Sequence, residues 1–357
     1  MNDYNLIRRK SKKIKVGNLY IGGDAPLSVQ SMTTARGYEG IYGQMKDLQN
    51  AGCDIVRMTV PDMENVRILA KLKESDITMP IVADIHFDYK MAVESAAAGA
   101  DKVRINPGNI GSEDRVKAVV EACRRAGIAI RVGVNSGSLE KKQLEKYGGV
   151  TPEALAESAL GEVRLLEKYD FEDIVIAVKS SSPYKMAAAN RLIAEKCDYP
   201  LHLGVTEAGT VRLGEIKGAA GIGGLLLCGI GDTLRVSLTA DPVKEVESGR
   251  RLLDALGFGK SMLELVSCPT CGRTMIDIIG IAEEFEKRMQ SVELKKPVKA
   301  AIMGCIVNGP GEAADADIGI AGGKGEAALF KKGVILRKIP ENEIVDTLVR
   351  EIVEMQK

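Results

Sequence analysis

The chain has no tryptophan and only two histidines, and aromatic residues make up just 4% of its 357 positions. It also lacks net charge, because 49 Lys and Arg are matched by 49 Asp and Glu. Proteins that grip nucleic acid carry a basic excess and, for single strands, aromatic stacking platforms, so this composition disfavours that class. No apolar run reaches the roughly 20 residues needed to span a bilayer. The basic start from Met1 to Lys15 is not followed by the apolar stretch of a secretory signal. Seven cysteines are too few and too unevenly placed for a disulfide framework. A protein of the reducing cytoplasm, with no membrane or nucleic-acid partner, fits these absences. Any cationic site in it must be local.

What is present reads as an ordinary globular enzyme, with 45% apolar and 27% charged residues. The length favours one large domain and a smaller one. From Ala25 to about Ile230 one plan repeats: a short β-branched run, a polar turn, then a stretch of helical period. The runs are PLSVQSM, DIVRMTV, PIVADI, KVRINP, AIRVGVN, DIVIAVKS, LHLGVTEA and, from Gly224, GLLLCGI. Between them lie amphipathic segments such as Glu113 to Ala126 and Pro152 to Tyr169, the latter with Thr151 as N-cap and Pro152 at N1. Gly52, Gly99 and Gly127 stand where helices need a terminating glycine. Eight such units predict an α/β fold, an N-terminal (β/α)8 TIM-type barrel over residues 1–258, in preference to an open doubly wound sheet. After Gly257-Phe258-Gly259 the rhythm changes. A Cys-Pro-Thr-Cys-Gly turn, a helical stretch to Met289, a strand-like VKAAIMG, a glycine-rich passage and a last helix predict a small α/β module over 259–357.

Barrel enzymes do their chemistry at the C-terminal strand ends. Arg57, Arg104, Arg131 and Lys179 fall late in four different runs, where packing alone would prefer Val, Ile or Leu. Arg104 with Asn106, Arg131 with Asn135, and Asp84 with His86 have equal parity, so each pair faces one way. Converging cations in a neutral chain imply an anion with several oxygens, and guanidinium forks suit phosphate or diphosphate. Structural pairing with Asp24, Asp84 or Glu207 is the alternative for any single one. Asp84, His86, His202 and Glu207 are candidates for proton transfer, although His202, early in its run, fits a core position equally well.

Cys268-Pro-Thr-Cys271 can grip one metal centre, and Gly272 lets the backbone turn beneath it. A third cysteine, Cys305, sits in GCIVNGPGE, a passage too rich in Gly and Pro for regular structure. The module holds no fourth cysteine and no histidine, which argues against a closed zinc site. A thioredoxin-type pair would not need Cys305, and the spacing excludes a C-x₃-C-x₂-C radical loop. A catalytic 4Fe–4S cluster on three thiolates, with Glu312 as the nearest carboxylate, fits best; a structural metal or buried thiols are the alternatives. Cys53, Cys123, Cys197 and Cys228 read as small core hydrophobes.

Taken together, PLSVQSMT, IVRMTVPD, VADIHFD, VRINPGNIG, IRVGVNSGS, LHLGVTEAG, SCPTCGR and GCIVNGPGEA resemble the bacterial 4-hydroxy-3-methylbut-2-enyl diphosphate synthase family across nearly the whole chain. The resemblance implies a barrel joined to an iron–sulfur module, with Cys268, Cys271, Cys305 and Glu312 as cluster ligands. It implies diphosphate binding by Arg57, Arg104, Arg131 and Lys179, in a pocket shared with Asp84, His86, Asn106, Asn135, Glu207, Ser237 and Asn308. Glu207, His86 and Glu312 would act in catalysis. The implied reaction is reductive opening and dehydration of a cyclic diphosphate. Electrons would come from ferredoxin or flavodoxin, since the glycines from Gly218 to Gly231 form no nicotinamide fingerprint. A head-to-tail homodimer would bring the cluster to the barrel mouth. A non-redox barrel synthase of a phosphorylated or pterin-like substrate, its last module a structural metal clip, is the main rival. A zinc-stabilised RNA-interaction module is the other.

Overall fold

The computed structural model describes residues 8–259, 261–306 and 313–357. The chain divides into two compact units, one ending at Gly259 and the other running on to Lys357. Each has an apolar core of its own.

The first unit opens with an antiparallel hairpin, β1 (Ile14–Val16) and β2 (Leu19–Ile21). Eight parallel strands follow: β3 (Ser28–Met32), β4 (Ile55–Thr59), β5 (Ile81–Asp84), β6 (Lys102–Ile105), β7 (Ala129–Asn135), β8 (Ile174–Lys179), β9 (His202–Leu203) and β10 (Thr233–Leu234). They pair in the order β8-β7-β6-β5-β4-β3-β10-β9. Parallel bridges Ile176↔Leu201 and Ser180↔Val205 join the two ends of that row into a closed barrel. Such strands are covered on both faces, which is why β8 reads as an unbroken apolar run ending in a lysine, IVIAVK. The hairpin plugs the N-terminal end: Ile14, Val16 and Ile21 pack on Ile55, Val82, Ala129 and Val175. Chemistry is therefore confined to the opposite mouth.

The expected helices form at Glu113–Ala126 and Pro152–Glu167. The Thr151 hydroxyl accepts from the Ala154 N–H at 3.1 Å. Thr151→Ala is expected to lower stability by about 1 kcal/mol, read as a lower urea midpoint at unchanged m-value. Gly52, Gly99 and Gly127 take φ of 85°, 91° and 64°, the left-handed conformation that ends a helix cheaply only with glycine.

One strand differs from expectation. The run from Gly224 is helical, Gly224–Leu227, continuing through Ala219–Gly223 from a helix that starts at Val211. The eighth strand is Thr233–Leu234 instead. Periodicity cannot separate a short apolar strand from a buried helical turn. Here Leu225 and Leu226 are buried while Leu227 is exposed. The glycines let the helix lie close to the barrel: a Cβ on Gly221 would sit 2.8 Å from Met186 Cε and Val205 Cγ2.

The second unit is a five-stranded sheet in the order β11 (Leu263–Ser267), β12 (Val298–Met303), β13 (Ile318–Gly322), β14 (Glu326–Lys331) and β15 (Val334–Pro340). The first three are parallel and the last two antiparallel to their neighbours. Helices Ile278–Met289 and Ile344–Met355 bury Phe285, Leu348 and Ile352 in its core. The glycine-rich passage thus contains strands that composition concealed. Gly319 is small because Phe330 crosses it, a Cβ there falling 2.5 Å from the ring. Cys53 and Cys123 are buried as expected, Cys197 is partly covered, and Cys228 lies on the surface rather than in the core. Among the described residues no helix is long and apolar enough to cross a membrane.

Candidate active site

A pocket opens at the C-terminal ends of the barrel strands, lined by Arg57, Asp84, His86, Arg104, Arg131, Asn135, Lys179, Arg235 and Ser237 together with Met32, Thr59, Gly133, Ala177 and Thr206. Strand parity brings them there: Arg57 faces inward from β4, Asp84 from β5, Arg104 from β6, Arg131 and Asn135 from β7, and Lys179 from β8.

Asp84 is the hub. It is 2% exposed, with Arg104 Nη1 at 3.2 Å from one carboxylate oxygen and Arg57 Nε at 3.6 Å and His86 Nε2 at 3.8 Å from the other. Burial alone would raise its pKa, but Arg57, Arg104 and Arg131 outweigh burial and hold it below the usual aspartate range. Arg104 also donates to the Gly133 carbonyl at 3.2 Å. Arg131, fully buried, donates to Gln30 Oε1 at 2.8 Å. Arg235 forks onto Glu245 through two bonds of 2.9 Å. Lys179 has no hydrogen-bond or ion-pair partner among the described residues. Burial, then the surrounding arginines Arg57, Arg235, Arg131 and Arg104, push its amine well below the ordinary lysine range. Burial likewise lowers Arg57 to about 10, against the pull of Asp84.

Five basic side chains thus share two carboxylates, Asp84 and Glu245. Buried positive charge left unpaired is costly, so the arrangement calls for an anion of several charges. Gly133 gives Arg104 its place: a Cβ there would lie 2.4 Å from Arg104 Nε. Gly133→Ala is expected to displace that guanidinium and weaken inorganic diphosphate binding by about tenfold or more in calorimetry, with thermal unfolding little changed.

Other expected residues lie apart from the pocket lining. Glu207 is exposed at the rim with φ 47°, its carboxylate accepting from the Thr206 hydroxyl at 3.0 Å. Asn106, at the N-cap of the short helix Pro107–Ile110, is buried, with Oδ1 lacking a hydrogen-bond partner among the described residues. His202 is fully buried, a core position. Asn308 and Glu312 fall outside the described residues. Arg235 is the basic residue that sequence reasoning missed. The signal was the alternation Leu234-Arg235-Val236-Ser237, hidden once the eighth strand had been placed at Gly224.

In the second unit, neighbouring strands β11 and β12 end at Ser267 and Met303, just before Cys268 and Cys305, with Ser267 opposite Ile302. The Cys268 N–H donates to the Ile302 carbonyl at 3.3 Å, and the Gly304 N–H to Cys268 Sγ at 3.1 Å. The Cys271 N–H donates to Thr274 Oγ1 at 3.1 Å, and the Met275 N–H returns to the Gly304 carbonyl at 3.0 Å. These bonds tie the Cys268–Cys271 loop to the backbone that leads into Cys305. Cys305 is buried, Cys268 partly buried and Cys271 exposed. Among the described residues no three His, Cys, Asp or Glu side chains converge closely enough to hold a single metal ion. A four-iron cube offers a different iron to each thiolate, so its ligands need not meet at one point. The three thiol donors and the N–H aimed at the Cys268 sulfur suit such a cluster.

The GcpE TIM-barrel domain matches residues 11–250, and the GcpE protein C-terminal domain matches 264–354. A protein of Ruminiclostridium cellulolyticum, described as 4-hydroxy-3-methylbut-2-en-1-yl diphosphate synthase (flavodoxin), is 55% identical over 98% of both chains. One of the same description from Caldanaerobacter subterraneus subsp. tengcongensis is 54% identical over 98% of this chain and 99% of its own. Among solved structures, 3-dehydroquinate dehydratase from Geobacillus kaustophilus superposes with a TM-score of 0.52, covering 71% of this chain and 100% of that one. At 15% identity that likeness concerns the barrel fold alone.

Proposed function

We infer the activity from kinship and site together: this chain belongs to the GcpE family, and it is an oxidoreductase that makes 4-hydroxy-3-methylbut-2-en-1-yl diphosphate for non-mevalonate isoprenoid synthesis. The substrate in this reading is 2-C-methyl-D-erythritol 2,4-cyclodiphosphate. Two electrons and two protons enter, the ring carbon–oxygen bond to phosphate breaks, and one hydroxyl leaves as water. The observation that carries the substrate class is the excess of basic side chains around Asp84.

Arg57, Arg104, Arg131, Lys179 and Arg235 bind the diphosphate, the guanidinium forks fixing its oxygens and Lys179 acting as a point charge. Binding exchanges the partial neutralisation by Asp84 for phosphate oxygens. Asn135 and Ser237, on the same wall, offer hydrogen bonds to the sugar-derived hydroxyls. His86, half exposed and 3.8 Å from Asp84, is placed to hold a proton for the departing hydroxyl, with Glu207 at the rim as the second proton carrier. Cys268, Cys271 and Cys305, with Glu312, would hold a 4Fe–4S cluster, which supplies electrons one at a time when bound. Flavodoxin is the donor in this reading, after the description of the relatives. A head-to-tail homodimer would set one subunit's cluster over its partner's barrel.

Anaerobic purification followed by reduction of the cyclic diphosphate with reduced flavodoxin tests the whole reading. A brown protein with iron, labile sulfide and product is expected; a colourless zinc protein that forms none would overturn it.

A further inference from the structure

TIM-type interiors are usually filled by branched aliphatic residues, but the layer beneath this pocket is polar. Lys102 lies on β6 two residues before Arg104 and is 0% exposed. Its Nζ has no hydrogen-bond partner among the described residues. Its register partners on the neighbouring strands are apolar, Val82 on β5 and Ala129 on β7. Arg131 on β7 stands opposite Arg104, two residues on from Ala129, and both ring nitrogens of His202 on β9 are buried without a hydrogen-bond partner among the described residues. The nearest acidic group, Asp101, is already occupied by Lys73 Nζ and the Ile81 N–H, each at 2.7 Å. No described carboxylate pairs with Lys102. Burial first, then Arg131, drive its amine well below the ordinary lysine range, with Asp101 opposing. The same surroundings, burial and then Arg131, Lys179, Lys102 and Arg57, keep His202 neutral.

We propose that Lys102 is a charge-switching positioning residue, a neutral amine while the pocket is empty and an ammonium once a diphosphate lies against Arg131 and Lys179. The proposal rests on the diphosphate reading of the pocket. An uncompensated ammonium there is opposed by burial and by the Arg131 guanidinium. A bound diphosphate reverses the local field, and the proton then comes from solvent to Lys102 Nζ, with the neutral His202 ring offering a lone pair. Anion binding is therefore coupled to proton uptake. Affinity falls as pH rises through the interval between the empty and the occupied pKa of Lys102, and the coupling vanishes in acid, where the amine is already charged.

The test is calorimetric titration of the whole, anaerobically purified protein with inorganic diphosphate, at mildly alkaline pH and in buffers of different ionisation enthalpy. Comparing wild type with Lys102→Met cancels the protons carried by the ligand itself. Wild type is expected to take up about one proton more than the variant on binding. Lys102→Met, which removes a buried polar group at similar length, is expected to melt no lower. Equal uptake in both proteins overturns the proposal while leaving the diphosphate pocket standing; absence of diphosphate binding in wild type overturns both. A second readout needs no variant. The lysine Cε resonances of carbon-labelled wild type should include two neutral amines, those of Lys102 and Lys179, that become charged on adding diphosphate, and fewer than two neutral amines in the empty protein would sink the idea.

Discussion

Cys305→Ala, purified without oxygen, is expected to be colourless, to lose its iron and labile sulfide, and to form no product, yet still to bind inorganic diphosphate. Cys305 follows directly on the Gly304 N–H that donates to Cys268 Sγ, so it belongs to the same stitched strand end as Cys268 and Cys271. Removing one of three thiolates leaves a two-point chelate, and the remaining positions would fall to weak oxygen ligands. The barrel should be untouched, because its core and that of the second unit are built from separate sets of side chains. Diphosphate affinity in calorimetry within about twofold of wild type checks that half of the expectation. Full iron and sulfide content in Cys305→Ala would show that this thiol is no ligand. The loss of product, by contrast, would not discriminate, so metal analysis is the deciding measurement.

Asp84→Asn should have the largest effect within the barrel, and its parts move in opposite directions. The substitution leaves Arg57 and Arg104 facing each other without the carboxylate between them. Breaking a buried ion network from one side costs about 3–5 kcal/mol, so the empty variant should melt well below wild type. Saturating inorganic diphosphate should recover much of that loss, since the ligand supplies the missing anion and binding stabilises only the folded state. By the same logic the variant is expected to bind diphosphate about tenfold more tightly, while its turnover falls about 10²-fold because His86 and the guanidiniums lose their common anchor. The pH dependence has a definite sign. The folded pKa of Asp84 lies below its unfolded value, so its contribution is complete above the unfolded value and disappears as pH falls through the folded one. The stability gap between wild type and Asp84→Asn should accordingly close in acid. A gap constant from neutral to acid pH, or a variant that binds diphosphate less well, would contradict the network.

Much of the barrel was legible because its signals are local. Side-chain direction in a strand alternates with period two, so Arg57, Asp84, Arg104, Arg131 and Lys179 declared a shared inward face from their own short runs. Helix ends were legible at Thr151 and Gly127 for the same reason: a cap depends on its neighbours within a turn. The misplaced eighth strand shows the limit. GLLLCGI is as apolar as a strand, and only the close approach of Met186 and Val205 to Gly221, just ahead of it, shows the helix bedded on the barrel there. That single slip concealed Arg235. Asn106 shares the parity of Arg104 but serves as the N-cap of the helix Pro107–Ile110, because the backbone has already left β6 at Ile105. In the second unit VKAAIMG was legible as a strand and forms β12, whereas β13 was hidden by the glycines that tight sheet packing requires at Gly319 and Gly322.

By itself the sequence determined the alternating units, the inward set of cations and the cysteines that a cluster needs, since each depends on residue type and near spacing. Only the tertiary structure decided that Asp84 stands between Arg57 and Arg104, that Arg235 is braced by Glu245, and that Lys102 and His202 lie unpartnered beneath them. These meetings depend on the stagger of eight strands and on closing the ring, in which Thr233 of β10 pairs with Ser28 of β3, 205 positions away. No local pattern encodes a distance of that kind, because the free energy of closure belongs to the ring as a whole.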